Sequence, residues 1–333
     1  MSKRANPEER HVVIAAETLE ARRSLPRRRH RGARREGWVA VAFLAPSFVG
    51  FLVFYVLPSL KALYVSFTDY SFYSPPGAIL GRPGGHWVGG QNYEALAHDP
   101  LFWNALRVTA VYVVINIGTQ TALALGLAVL MDRLTKSTVV RGILILPWLI
   151  PNVMVALVFQ WIVDRDLGVI NGMLGSLGFA HLGFLDSSSQ AIPTVALINT
   201  WRNTGYTALL LFAGLQMIPK ALYEAASIDG AGEWTLFTRI TLPLLRPVLA
   251  LVLVVSLIGS FQVFDTIAVS ENPIGGPVNA TRVIYVWIYQ NAWQFGKVGY
   301  ASAMAVVLAG ILLLITLVQM RLLRASQSDL SAP

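Results

Sequence analysis

A chain of 333 residues has the length of about two soluble domains, yet hydrophobic residues make up 55% of it and charged residues only 13%, about half the usual quarter. That leaves too little polar surface to clothe two water-soluble domains, so an ordinary cytosolic enzyme is excluded and much of the chain must face lipid. The net charge of +8 is concentrated in residues 1–37, with 11 Lys/Arg against 5 Asp/Glu, and the absence of cysteine excludes disulfides and thiolate chemistry.

Residues 1–37 include the run Arg27-Arg28-Arg29-His30-Arg31 and no long apolar face, so they read as a solvated, disordered cytoplasmic tail. Attraction to anionic membrane lipid, about 1 kcal/mol per basic residue near the surface, is its expected secondary role, and no nucleic-acid partner is expected. The first span, about 38–60, is over twenty residues long, runs through Leu57-Pro58-Ser59-Leu60 without a small-x-small cleavage site there, and should remain as an anchor. A turn-rich outer loop from Asp69 to Trp103 ends in a helix-like stretch, Asn92 to Ala97.

Further spans are predicted at about 108–131 and 142–163, the latter kinked by Pro147 and Pro151, followed by a Gly-punctuated loop over 164–191. The fourth, 192–218, is equally long but carries Arg202 near its middle. Spans at 247–269 and 298–320 flank a loop over 270–297, and residues 324–333 form a C-terminal tail. The expectation is an all-α membrane protein with a six-helix transmembrane domain over 38–323. Of the Lys and Arg residues, 19 fall in the two termini and the segments 132–141 and 219–246, and five in the alternate loops. Both termini are therefore expected in the cytoplasm.

The segment after the fourth span reads Glu224-Ala225-Ala226-Ser227-Ile228-Asp229-Gly230, then nine residues, then Ile240-Thr241-Leu242-Pro243. Its apolar residues Ile228, Trp234, Leu236, Phe237 and Ile240 gain nothing in water unless something covers them, so a partner protein is implied. The alanines keep one helical face low, Gly230 can take a positive φ between two short helices, and Pro243 suits a first helical turn.

This stretch resembles the EAA loop of permease subunits of bacterial binding-protein-dependent ABC importers. Leu215-Gln216-Met217-Ile218-Pro219 and Gly89-Gly90-Gln91-Asn92-Tyr93 are similar to the carbohydrate branch, with its maltose-type and glycerol-phosphate-type permeases. The resemblance extends over about 38–323 and implies a type I ABC importer permease-like bundle, in which loop 224–243 forms a cytoplasmic coupling helix seated on the ATP-binding subunit. It assigns Glu224, Ala225, Ala226, Asp229, Gly230, Gly232, Ile240, Leu242 and Pro243 to that loop. It further implies two copies of the ATP-binding subunit, a second homologous permease, an extracytoplasmic solute-binding protein and the inner membrane of a bacterium.

The sequence has no Gly-x-x-x-x-Gly-Lys-Ser/Thr, since its one Gly-Lys, Gly296-Lys297, is followed by Val298, and its five histidines keep no metal-ligand spacing. It reads as a transport subunit and not an enzyme, with no catalytic residue, metal or cofactor of its own; ATP and magnesium belong to the partner.

A charge inside a span costs at least about 2.5–3.5 kcal/mol and tends to face a wet cavity. Ten residues from Ile192 place Arg202 roughly 15 Å deep, near mid-bilayer, with Asn203 beside it and Tyr206 one turn on. The resemblance adds Ser256, Gly259 and Ser260 to this substrate path, and Gln262 is a further polar residue in a span. Asn116, Gln120 and Asn152 read equally well as helix–helix hydrogen-bonding groups. Arg202 could bond sugar hydroxyls, grip a phosphate or carboxylate bidentately, or pair with Asp265 for assembly. The expected cargo is a sugar, oligosaccharide or polyol. The alternatives are an anionic or glycerophosphate-type derivative in the same complex, or an ion-coupled secondary transporter using Asp265.

Overall fold

The structure, a computed structural model, describes residues 31–73, 85–134, 137–270 and 275–324. The tail ahead of Arg31 and the C-terminal stretch 325–333 lie outside the described residues. Among the described residues the backbone is helical, and the single β pairing is an isolated bridge between Thr68 and Trp87. The chain divides into two units, 1–60 and 61–333.

In the first unit, α1 (Arg31–Phe51) leads through a π turn, Leu52–Val56, into α2 (Leu57–Val65), of which only the first four residues belong to that unit. The helix therefore starts ahead of the expected span, and residues 31–37 are helix where a disordered tail was expected. Arg31, Ala33, Arg34, Arg35 and Glu36 are good helix formers that let the turn already nucleated by the apolar segment extend backward.

The second unit continues with α3 (Gln91–Ala97), α4 (Pro100–Leu134), α5 (Thr138–Leu149), α6 (Asn152–Ile162), α7 (Val169–Ser176) and α8 (Ala191–Leu215). It ends with α9 (Lys220–Ile228), α10 (Glu233–Leu236), α11 (Leu242–Phe261), α12 (Asp265–Ser270), α13 (Ile284–Tyr289) and α14 (Val298–Arg324). A π turn at Phe237–Thr241 joins α10 to α11.

Among the described residues, four helical stretches are long and apolar enough to cross a membrane: Val41–Val65, Pro100–Leu134, Glu233–Val269 and Val298–Arg321. Two bent pairs, α5 with α6 at 90° and α8 with α9 at 72°, bring the number to six if each pair is one span. The third expected span is thus broken. Pro151 supplies no N–H and biases Ile150, at ψ 133°, out of the helical region, so α5 ends there and α6 starts in a new direction. The fifth expected span, 247–269, lies within Glu233–Val269 and is interrupted near its end. Gln262 and Val263 donate to carbonyls only three residues back, Gly259 and Ser260, which tightens and ends α11 before α12 begins.

α8 is the axis of the unit. Sixteen of its 25 residues are buried, which is why a helix carrying Asn199, Arg202 and Asn203 is tolerated: its surroundings are protein rather than lipid. α4 packs along it, and α5 and α11 flank it. Gly205 allows the α5 contact, because a Cβ there would collide with the Leu144 carbonyl.

Apolar residues divide into two cores along these helices. One contains Phe102, Tyr112, Val195, Phe261, Ile267 and Met304; the other, at the end that carries α9, contains Ala124, Met131, Leu211, Leu215 and Leu245. Between them lies a polar layer. Asn116 Nδ2 donates to Ala196 O and Thr200 Oγ1, each at 3.2 Å, and its Oδ1 accepts from Ser260 Oγ at 3.0 Å. One turn along, Gln120 Nε2 donates to Thr207 Oγ1 at 2.8 Å and Ser256 Oγ at 3.3 Å.

The loop over 270–297 holds more structure than its turn residues suggest. Ile284, Val286 and Trp287 of α13 are buried in the first core, and Asp99 accepts from Trp287 Nε1 and Tyr300 Oη at 3.3 and 2.8 Å, tying α13 and α14 to the start of α4. In the loop after α6, Asn171 donates to the carbonyls of Arg165 and Leu182 and accepts from the Leu182 amide.

Candidate functional site

The polar layer opens into a cavity of about 270 Å³ walled by α4, α5, α6, α8, α11 and the start of α12. All seven residues that sequence reasoning places in the substrate path, Arg202, Asn203, Tyr206, Ser256, Gly259, Ser260 and Gln262, line it. Both helix breaks border the space: Trp148 and Asn152 flank the break between α5 and α6, and Gln262 to Asp265 span the one between α11 and α12. Irregular backbone at such depth is tolerated where it lines a cavity.

Each wall contributes a distinct chemistry. Trp148, just ahead of the first break, stacks on Tyr206 with ring centroids 4.7 Å apart and an interplanar angle of 11°. Arg202 reaches across from α8 to the break: its Nε donates to Ile150 O and one terminal nitrogen to Trp148 O, both at 3.2 Å. The other terminal nitrogen donates to Asn203 Oδ1, also at 3.2 Å. Asn152, at the start of α6, donates through Nδ2 to Asp265 Oδ2 at 3.3 Å, joining the two broken ends, while its Oδ1 is buried without a partner.

Asn116, Gln120 and Asn152, for which sequence reasoning leaves a path role and helix–helix bonding equally open, both fasten helices and line the cavity. Trp148, Tyr112, Asn199, Thr207 and Phe264 also line it and went unnamed. Trp148 had a signal: an aromatic residue bracketed by Pro147 and Pro151 sits where a helix must break. The others become visible only when α4 and α12 are laid against α8.

The second group of expected residues forms a separate surface. Glu224, Ala225, Ala226 and Asp229 lie on or cap α9, and Glu224, Ala225, Asp229, Gly230 and Gly232 are exposed. Gly230 has φ +81°, a left-handed conformation that closes α9: its N–H donates to Ser227 O, and the Ala231 N–H to Ala226 O. Gly232 precedes α10, Ile240 lies in the π turn, Leu242 opens α11 and Pro243 occupies its first turn. The apolar residues of the segment divide. Leu236 is buried and Phe237 and Ile240 half-buried within the chain, while Ile228 and Trp234 are 87% and 76% exposed. Arg133 at the end of α4 forms an ion pair with Glu233, and the Tyr223 hydroxyl bonds Thr241 Oγ1 at 3.0 Å.

Among the described residues no cluster of His, Asp and Glu is arranged to hold a metal ion. Outside the spans, the Asp164 carboxyl is held below its ordinary pKa by hydrogen bonds from the Leu167 and Asp166 amides.

The profile of the family described as "Binding-protein-dependent transport system inner membrane component" matches residues 120–330. The chain is 34% identical over 287 residues to the sulfoquinovosyl glycerol transport system permease protein SmoG of Agrobacterium fabrum, covering 86% of this chain and 90% of that one. It is 32% identical to the trehalose/maltose transport system permease protein MalF of Thermococcus litoralis, over 86% of this chain and 94% of the relative. The lactose transport system permease protein LacF of Rhizobium radiobacter is 30% identical over 85% and 92%.

Among solved structures, a chain of a bacterial ABC transporter that imports the acidic polysaccharide alginate superposes with a TM-score of 0.74 at 25% identity, covering 88% of this chain and 98% of that one. The same TM-score and identity hold for that transporter in complex with an alginate pentasaccharide-bound periplasmic protein. With a family match across more than half its length, a helical bundle of the same fold and relatives covered almost end to end, the chain belongs to the inner membrane components of binding-protein-dependent transport systems.

Proposed function

We propose that this chain forms one half of the translocation pore of an ATP-driven importer and passes a sugar, oligosaccharide or related polyol through the cavity between its two cores. The observation that carries this reading is the cavity lining: a stacked Trp148–Tyr206 pair beside the amides and hydroxyls of Asn152, Asn203, Ser256 and Gln262. Aromatic faces pack against the C–H face of a sugar ring, and amides and hydroxyls exchange hydrogen bonds with its hydroxyl groups. Relatives named for trehalose/maltose, lactose and alginate transport support the same cargo class.

The exposed segment from Glu224 to Gly232, with uncovered Ile228 in it and uncovered Trp234 just past it, is the docking surface for an ATP-binding subunit. ATP and magnesium are handled there and not by this chain. One such segment per chain calls for a second permease to engage a second copy of the ATPase, and an extracytoplasmic binding protein delivers the cargo. The excess of Lys and Arg in the termini and in segments 132–141 and 219–246 supports an orientation with both termini on the cytoplasmic side of the bacterial inner membrane.

The test is gentle purification of the tagged chain with identification of stoichiometric companions, followed by uptake of labelled sugar into liposomes holding the recovered complex and its binding protein. Recovery of an ATPase and a second permease, with uptake that requires ATP, is expected. Recovery alone, or uptake driven by an ion gradient without ATP, would overturn the reading.

A further inference from the structure

The Gly-punctuated segment after α6 is not made like a loop in water. From Leu167 to Leu185 it carries no Asp, Glu, Lys or Arg. Its polarity is also inverted. Asn171 of α7 is buried and bonds inward, donating to the carbonyls of Arg165 and Leu182 and accepting from the Leu182 amide. Val169, Met173 and Leu177, four residues apart on the opposite face, are 63%, 62% and 70% exposed. Leu167 ahead of them and Phe179 behind them are exposed as well. A surface helix in water turns these two faces the other way.

We infer that α7 lies on the membrane, its Val169–Met173–Leu177 face sunk into the lipid leaflet remote from α9, and anchors the far end of α6 there. At eight residues, about 12 Å, α7 is too short to cross the hydrocarbon core and long enough to lie along its surface.

Continuity with the spans points to lipid. Val153, Met154, Leu157, Val158 and Trp161 form an exposed apolar face on α6, which belongs to a bent membrane-spanning pair. A groove of about 490 Å³ carries that face over to α7: Val158, Trp161 and Ile162 line it from α6, and Leu167 and Val169 from the start of α7. Trp161 stands in the last turn of α6, where aromatic residues gather at the boundary of a bilayer. The charged turn Asp164-Arg165-Asp166 is exposed between the two helices and stays at headgroup level.

Hydrogen bonding separates lipid from a protein partner. A protein interface carries about one hydrogen bond per 100–200 Å². The outward face of α7 is apolar, and the hydroxyl of Ser176 donates back to the Met173 carbonyl at 2.8 Å. The last turn closes on itself: Gly178, at φ +80°, lets the Phe179 amide donate to Leu174 O at 2.9 Å. Backbone satisfied from within is what a lipid environment demands. The anchor also has a use. α6 has 11 residues, about 16 Å, and cannot span alone, while its near end holds Asn152 on the cavity wall.

The chain has no cysteine, so a nitroxide on a single introduced one is its only label. Val169→Cys, Met173→Cys and Leu177→Cys are labelled in the assembled importer, reconstituted in phosphatidylethanolamine–phosphatidylglycerol vesicles, with wild-type complex treated alike as background. Ser176→Cys, a one-atom change near the same face, serves where a larger replacement hinders assembly. Power saturation with oxygen, which partitions into lipid, and with a water-soluble nickel chelate reads the surroundings of each label. Oxygen should dominate at these positions, at a depth of about 5–10 Å, and nickel at Asp166→Cys. Nickel dominating on α7 would overturn the inference by placing it in water. Exclusion of both reagents would overturn it too, by showing that a second permease or the binding protein covers this face.

Discussion

The indole of Trp148 and the ring of Tyr206 lie nearly parallel, 4.7 Å between centroids, although one belongs to the end of α5 and the other to the middle of α8. The pair forms an apolar platform within a polar cavity. Such stacking is worth about 0.5–1.5 kcal/mol beyond area burial, so Tyr206→Phe should keep uptake near the wild-type level. Tyr206→Ala should lower it about tenfold or more, since it removes the platform as well as the stack. Uptake by liposomes containing the complete importer is the measurement.

Arg202 should matter to the stability of the bundle as well as to flux. Removing it leaves two carbonyls at a helix break without donors, at a cost of about 1–3 kcal/mol, toward the lower figure because the cavity is partly open. Thermal unfolding of the purified complex should show a lower transition in Arg202→Ala and an intermediate one in Arg202→Lys, whose single ammonium cannot reproduce the planar fork. An unchanged transition in Arg202→Ala would show that the clamp carries no weight.

Much of this architecture was legible in the residues, and where it was not the reason is physical. The spans showed themselves because lipid demands long uncharged runs, and the loop after α8 because a Glu-Ala-Ala…Gly…Pro spacing encodes one particular turn. The break at Ile150–Pro151 was foreseen only as a kink. It is a 90° bend, and the carbonyls of Trp148 and Ile150 freed there accept from the Arg202 guanidinium, 52 residues beyond Ile150. α13 was hidden for the opposite reason: Ile284 to Trp287 are too few to announce a helix, and they become core only against α4 and α14. Asn116 and Gln120 were seen as polar but not placed, since the sequence does not say which way a helix is rotated.

Two glycines on packed helices should respond oppositely to the same change. Gly205→Ala drives a methyl into the Leu144 carbonyl and should destabilise by about 1–3 kcal/mol, with loss of the α5 contact. Gly118→Ala meets nothing within 4 Å and should stabilise α4 by about 0.5–1 kcal/mol through helix propensity. Melting curves of the two variants side by side test this, and equal shifts would contradict it.

At Gly230 the expected defect is one of coupling. A β-branched residue at φ +81° is strained by roughly 1–2 kcal/mol, and Gly230→Val should distort the exposed turn without disturbing the distant cavity. The complex should still assemble in the membrane, while uptake falls about tenfold or more and ATP hydrolysis no longer responds to the loaded binding protein. Normal uptake would remove Gly230 from the coupling surface.

The loop after α6 should loosen in acid. The Asp164 carboxyl titrates below its unfolded value, so its contribution is fully present above about pH 4 and is lost as the pH falls through the depressed folded value. Hydrogen exchange at Asp166 and Leu167 should accelerate over that window. In Asp164→Ala it should be fast at every pH, and Asn171→Ala should expose the Leu182 amide in the same measurement.

The ion pair between Arg133 and Glu233 gives α4 a mechanical meaning. It links the first turn of α10, just past the exposed segment, to the foot of a 35-residue helix whose middle carries Gln120 and Asn116. Thirteen residues separate Arg133 from Gln120, a lever arm of about 20 Å, so a tilt of roughly 5° at the foot shifts the cavity wall by about 2 Å. That is comparable to a hydrogen-bond length, enough to exchange one set of partners for another without unfolding a single turn.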